Sequence, residues 1–549
     1  MEYPEKKSPT EPLDLQQKIG DTLAGKRPVE RTYPYFSPDY ALPFTHIGTQ
    51  RQLFLDNYML DHLEGVERVF PSPHRPDQPI LEVGDLPWEM HDNPITAGTL
   101  CDPADGKFKM WYTQSLSGDP FNTGQVLCYA ESTDCLHWTK PLSERCLPYQ
   151  EHTATNIVAR DTAATTVVLN HDQNDPEKKY LLLNCPYGRA RELGQTILSE
   201  VSASPDGIVW RTLSEDTQWR HQHHMRIIWD EAIQRWIGYG QYSHHWHHGP
   251  RTRQIGRQES ADFINWSPKE VVISADWDPN LPPHLEFHEM SIRKIGGLYI
   301  GITGEAMTDP VWCANTQNGA NWRDQFHVRL GLYSSRDGKR WQRVGGPGAW
   351  VPNGPPGSSD WGYACFSAGE QLLYRGKIHI PYTACPDKQH WFVKSPGAQR
   401  ALVPEETYRS QRAEWESLGH ALGRWPKRKR TVGALILRED GWAELRPSYE
   451  LGRAFSKQFV FEGDSLQINA ACAAGYVRVE ILDPYFRPYL GFAAADCDPA
   501  CTDDPQQIWR TVTWRGNPDV RSLWNKPCRL VFHLHQASLY AFQFMETRA

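Results

Sequence analysis

No run of about 18 apolar residues occurs in this 549-residue chain, so no membrane-spanning helix is expected. Positive charge is not in excess. Lys and Arg number 58 against 66 Asp and Glu, a net charge of -8, which excludes a general nucleic-acid binder. The opening MEYPEKKSPTEPLDLQQKIGDTLAGKRP has no apolar core after its basic residues. A secretory signal is therefore not read there, and the expected compartment is the cytoplasm, or the cell exterior if a signal preceded this sequence. The 12 cysteines include no Cys-x-x-Cys pair, only Cys497 and Cys501 four apart. Neither a zinc framework nor a disulfide scaffold is indicated, and buried thiols are expected instead. No Gly-x-Ser-x-Gly elbow is present, so a serine hydrolase lacks support. The glycine-rich segments 345–348 and 352–357 lack the Lys-Ser/Thr of a phosphate loop.

Aromatic residues are abundant: 22 Trp, 23 Tyr and 19 Phe. They suit both β-rich cores and surfaces on which a sugar ring stacks. A repeat organises them. Ser-x-Asp-x-x-x-Trp occurs at Ser132–Trp138, Ser204–Trp210, Ser260–Trp266 and Ser335–Trp341, with a degenerate copy around Asp440 and Trp442. The pattern predicts a strand ending at Ser, a turn made by Asp, and a Trp opening the next strand. Before the copies stand pairs of β-patterned runs: 95–101 with 108–113, 165–169 with 180–184, 226–229 with 236–239, and 291–294 with 298–303. Each unit thus reads as a four-stranded antiparallel blade, and about five blades are expected, over 90–145, 153–215, 221–275, 286–345 and 360–445. A strand at 52–59 is expected to pair with a C-terminal strand and close the ring. Beyond 450, short regularly spaced strands predict a β-sandwich. The organisation expected is an arm over 1–47, a propeller over 48–450 carrying a basic helical insertion at 386–430, and a sandwich over 451–549. The fold class is all-β, a five-bladed β-propeller followed by a C-terminal β-sandwich.

RQLFLDNYMLD, CDPADGKFKMWYTQ, CYAESTDCLHWTKP, SSRDGKRWQRV and VRVEILD resemble the five-bladed propeller glycoside hydrolases of families 32, 43, 62, 68 and 130. The likeness is nearest to uncharacterised family-32-like propellers with an appended sandwich, and it spans nearly everything after residue 48. The WMNDPNG signature of invertases is absent. The resemblance implies cleavage, or transfer, of a glycosidic bond by two carboxyl groups, one protonated and one ionised. It also implies a carbohydrate substrate, no nucleic-acid or membrane partner, and no cofactor, with an axial-channel calcium left open and a homo-oligomer neither required nor excluded.

A propeller gathers the starts of its innermost strands at one mouth, so carboxyl groups are sought there. Asp92 precedes the first strand of blade one and matches the family's general base, with Glu89 as substitute. Glu289, in LEFHEMSIRKIGGLYIGI, matches the general acid, and Phe287 and Met290 beside it would desolvate it. Asp161 is the candidate third carboxylate, which orients the acid. Substrate contacts are expected from Trp88, Glu89, His91, His223, His224, Trp246, Arg251, Glu286, His288, Asp360 and Trp361. The histidines at 221–224 and 244–248 are read as sugar-contacting or loop-packing groups, and no metal ligands are assigned. Two other readings stand beside the glycosidase: a non-catalytic carbohydrate-binding propeller, and a cytoplasmic propeller enzyme using the histidine cluster, with or without a metal, on another small molecule.

Overall fold

The computed structural model describes residues 45–89, 94–115, 125–162, 164–195, 198–217, 219, 225–245, 251–278, 281, 285–308, 326–346, 348–365, 370–386, 430–472, 475–501 and 507–546. The chain divides after His46, and its larger unit runs from Ile47 to Ala549. The arm expected over 1–47 and the insertion expected over 386–430 fall almost entirely outside the described residues. Among the described residues, no helix is long and apolar enough to cross a membrane.

The architecture of the larger unit is all-β: five four-stranded units in a ring, the fourth and fifth joined into one sheet by a parallel pairing of Val328 with Tyr363, followed by a two-sheet sandwich. Sheet one runs Ile95–Cys101, Phe108–Ser115, Gln125–Ser132, then an outer strand in two pieces, Trp138–Thr139 and Ile157–Arg160. Sheet two is Thr166–Leu169, Tyr180–Asn184, Glu200–Ser204 and Arg211–Ser214, and sheet three is Met225–Asp230, Arg235–His245, Arg251–Ser260 and Glu270–Ile273. Sheet four is Leu285–Ile295, Leu298–Thr308, Phe326–Ser335 and Gln342–Arg343. Sheet five has an inner strand in two pieces, Tyr363–Cys365 and Leu372–Tyr374, then Lys377–Cys385 and Thr431–Arg438. The first strands of sheets one to four pack side by side in order, and Lys377–Cys385 of sheet five returns against Ile95–Cys101 of sheet one.

The repeated Ser-x-Asp motif forms the corner between third and fourth strands. In the second copy, the Ser204 hydroxyl accepts the amides of Asp206 and Gly207, and Asp206 Oδ1 accepts those of Ile208 and Val209. The copies at Ser260 and Ser335 bind their Asp in the same way. The residue after each Asp is left-handed: Cys135 at φ 66°, Gly207 at 78°, Phe263 at 68° and Gly338 at 68°. Neighbouring sheets latch onto these corners. Trp111 Nε1 of sheet one donates to Gly207 O of sheet two at 2.8 Å, and Tyr239 Oη of sheet three donates to Gly338 O of sheet four at 2.6 Å.

Ring closure differs from the sequence expectation. Gln52–Leu53 does pair with a C-terminal strand, Ser538–Met545, but inside the sandwich. The outer edge of sheet five is instead lined by the segment holding His74 and Leu81, which bridge Ile436 and Val432. That segment reads HRPDQPIL, and its prolines limit it to these two isolated bridges and hide it in the sequence. An edge position tolerates them because one side needs no N–H donors.

The sandwich packs Trp509–Thr511, Ser465–Ala471, Ser538–Met545, Glu444–Pro447 and Val66–Val69 against Leu60–Glu64, Leu451–Ser456, Arg529–His535 and Tyr476–Leu482. Leu466, Ile468, Phe532, Phe542 and Phe544 fill it, and the same apolar cluster continues into Ile300, Leu332, Ile380 and Leu435 of sheets four and five. Arg51 clasps the junction, with Nη1 3.1 Å from Asp440 and its guanidinium over Trp509. Of the eleven described cysteines none is disulfide-bonded, and only Cys101 and Cys501 are exposed.

Candidate functional site

Strand Leu285–Ile295 opens with Glu286, His288 and Glu289, all buried. In a regular strand, neighbouring side chains point to opposite faces. Here the register shifts: Phe287 pairs with Glu305 and Met290 with Thr303, so His288 and Glu289 together oppose only Gly304. This is a β-bulge, which re-aims side chains where pairing is interrupted. Gly304 is part of the device. A Cβ there would lie 2.4 Å from Cys365 Sγ and 2.7 and 2.9 Å from the two oxygens of Glu289. The Glu289 carboxyl thus occupies a hollow that only glycine leaves.

Four inner strands contribute to this place. Cys365, on the inner strand of sheet five, donates from Sγ to Glu289 Oε2 at 2.7 Å. Arg226, on the first strand of sheet three, is 1% exposed and interacts with both Glu289 and Cys365. Its Nη1 donates to Met225 O at 2.8 Å and its Nη2 to Thr96 O of sheet one at 2.7 Å. Burial pushes its pKa down to about 10, which leaves it charged at neutral pH. Burial, and then Cys365, push the Tyr363 phenol well above its ordinary range, and the Arg430 guanidinium lies 5.1 Å from that ring. Arg253 Nη1 is 3.1 Å from His288 Nε2 and 3.4 Å from Glu286 Oε2, while Gln241 donates to His288 O.

Glu286, His288 and Glu289 are therefore brought together, with Arg253 and Arg226 for company. Phe287 and Met290 belong to the apolar core between sheets three and four. Other expected residues have separate surroundings. Trp88 and Glu89 are buried in the wall of sheet one, where Trp88 Nε1 donates to Asn156 and Glu89 accepts from Tyr112 at 2.6 Å and Lys140 at 2.7 Å. Burial raises the Glu89 pKa against the opposing pull of Lys140. Asp161, left-handed at φ 52°, accepts the amides of Gly188 and Arg189 at the start of the short helix Tyr187–Glu192. Asp360 is buried on Arg75 at 2.6 Å, Ser358 at 2.9 Å and Tyr382 at 3.1 Å, and Trp361 packs edge-on to His327. Asp92, His91, His223, His224 and Trp246 lie outside the described residues, as does the side chain of Arg251.

Arg226, Cys365, Tyr363 and Gly304 do not stand out in the sequence. A search for carboxyl groups passes over a Cys on the fifth inner strand, and an Arg following a Met reads as an ordinary strand residue. The signal available was position: each lies on a first strand, or opposite one. Among the described residues one set of donors has metal-ligand proximity, His288, Glu289 and Cys365, whose ligand atoms lie within 4.8 Å of one another.

No family model and no curated protein matches the chain. Solved structures similar to it include an N-acetylgalactosamine deacetylase from F. plautii in complex with a blood group B trisaccharide, at 14% identity over 69% of this chain and 97% of that one, with a TM-score of 0.42. A fructofuranosidase from Schwanniomyces occidentalis complexed with fructosylnystose is similar at 9% identity over 87% and 99%, TM-score 0.38. An α-L-arabinofuranosidase from Fusarium graminearum in complex with an iminosugar inhibitor is similar at 11% identity over 67% and 98%, TM-score 0.36. Similarity of this degree does not assign chemistry, which belongs to the site.

Proposed function

We propose that this chain is a carbohydrate-active enzyme that cleaves a glycosidic bond at the Glu289 mouth of the ring. The observation that carries the reading is the placement of Glu289. Its carboxyl is buried, aimed by a bulge into a glycine hollow, and set among side chains from three inner strands. A structural glutamate at a strand end needs none of these devices. The sequence resemblance supplies the second support, since Glu289 stands where those hydrolases carry their acid.

In this reading Glu289 delivers its proton to the leaving glycosidic oxygen as the bond from the anomeric carbon breaks. Asp92 supplies the second carboxyl, either taking a proton from the water that adds to that carbon or attacking the carbon itself. Arg226 limits the charge left on Glu289 after transfer, in a low-dielectric place where that compensation counts most.

The experiment is turnover of a panel of aryl glycosides and oligosaccharides by wild type, Glu289→Gln and Asp92→Asn. Cleavage by wild type and a fall of about 10²–10⁴-fold in each variant are expected. An inert wild type, or a fully active Glu289→Gln, overturns the reading.

A further inference from the structure

We propose that His288, Glu289 and Cys365 form a binding site for a thiophilic divalent cation of the zinc class, and that occupancy switches the proposed acid off. Three donors of different chemistry converge from two strands: an imidazole nitrogen, a carboxylate oxygen and a sulfur, their ligand atoms within 4.8 Å of one another. All three residues are buried. This donor set suits zinc or cobalt and disfavours calcium and magnesium, which take oxygen ligands.

The backbone explains how neighbours in sequence reach one ion. The bulge at 288–289 removes the strict alternation that would separate His288 from Glu289, and the absence of a side chain at Gly304 lets Cys365 approach both. Only a modest rearrangement is required. Cys365 Sγ and Glu289 Oε2 stand 2.7 Å apart, whereas bonds of about 2.3 and 2.0 Å in a tetrahedral zinc site separate sulfur and oxygen by about 3.5 Å. Binding replaces the S–H···O hydrogen bond by two metal bonds and releases to solvent the thiol proton and, from the proton-donor form of Glu289, the carboxyl proton as well, so affinity rises with pH. Charge is accommodated: thiolate and carboxylate bring two negative charges, and Arg226 one positive, before the cation arrives.

The regulatory consequence rests on Glu289 being the proton donor, because a carboxylate bound to a cation has no proton to give. The binding itself does not depend on that role. The test is titration of reduced, full-length protein with Co²⁺ and Zn²⁺. One cation per chain is expected, with the Co²⁺ form showing tetrahedral visible bands and a sulfur-to-cobalt charge-transfer band in the near ultraviolet. Cys365→Ser, nearly isosteric and checked for an unchanged unfolding midpoint, should abolish the charge-transfer band. It and His288→Gln should each weaken binding by more than about 10-fold, since loss of even an outer-shell partner costs that much. No saturable one-per-chain site, or a charge-transfer band that survives Cys365→Ser, overturns the site. Cation binding that leaves glycoside turnover intact keeps the site but overturns the switch and the acid role of Glu289. A wild type that binds no cation, yet loses turnover on Glu289→Gln, does the reverse.

Discussion

Arg226 of sheet three donates to the carbonyl oxygen of Thr96 in sheet one at 2.7 Å, skipping sheet two, whose first strand neighbours those of both. The bond is a chord of the ring, and it carries a buried positive charge to the side of Glu289. Arg226→Met should destabilise the protein by about 1–3 kcal/mol, because the carbonyl oxygens of Thr96 and Met225 lose a buried donor. The midpoint of urea unfolding measures this. A loss below about 0.5 kcal/mol would show that these two hydrogen bonds do not hold the ring together.

Gly304→Ala tests the hollow. Its Cβ would meet Cys365 Sγ and both Glu289 oxygens, so the expected cost is about 1–3 kcal/mol together with loss of turnover. Gly348→Ala is the control, since nothing lies within 4 Å of a Cβ there. Equal thermal stability of the two variants would contradict the packing described for the mouth.

The latches between sheets are testable singly. Tyr239→Phe removes the hydrogen bond to Gly338 O together with the one that Arg257 Nε donates to the same hydroxyl, and leaves the ring in place. About 0.5–1.5 kcal/mol should be lost, read by denaturant unfolding. An unchanged midpoint would mean that the latch adds nothing to a corner already held by its own Ser335, Asp337 and Trp341 hydrogen bonds.

Acid should loosen the corners. Burial opposes ionisation of Asp262, but the Asn265 and Ile264 hydrogen bonds outweigh it and lower the pKa; Asp206 and Asp337 are lowered in the same way. A lowered folded-state pKa contributes stability that is complete above the unfolded value of about 3.9 and is lost as pH falls below it. Unfolding midpoints of wild type and Asp262→Asn should therefore differ most near neutrality and converge towards pH 3. A constant difference across that range would assign the Asp262 contribution to something other than its charge.

The ring was legible because its corners repeat. Ser, Asp and Trp at fixed spacing each do local work at the corner, so one motif marked the end of each third strand. The sandwich was legible through alternation, as in Tyr476–Leu482. In the buried cluster on Leu285–Ile295, the sequence marked Glu286, His288 and Glu289 and none of the residues that face them. Nothing in a one-dimensional pattern announces a bulge, and the facing of Gly304 to two residues exists only once strands pair. Cys365 and Arg226 were hidden for the same reason. Their meaning comes from residues more than 60 positions away, whereas the edge segment at 74–81, which makes only two isolated bridges, was hidden by prolines that an interior strand would not allow.

The most direct measurement compares Glu289→Gln with wild type on two aryl glycosides of one sugar, one with a strongly acidic phenol as leaving group and one with a weakly acidic phenol. A proton donor is needed only for the poor leaving group. A fall in kcat/KM of about 10²–10⁴-fold on the weakly acidic phenol, with little loss on the other, is the expected result. Equal losses on both substrates would contradict a proton-donating role for Glu289.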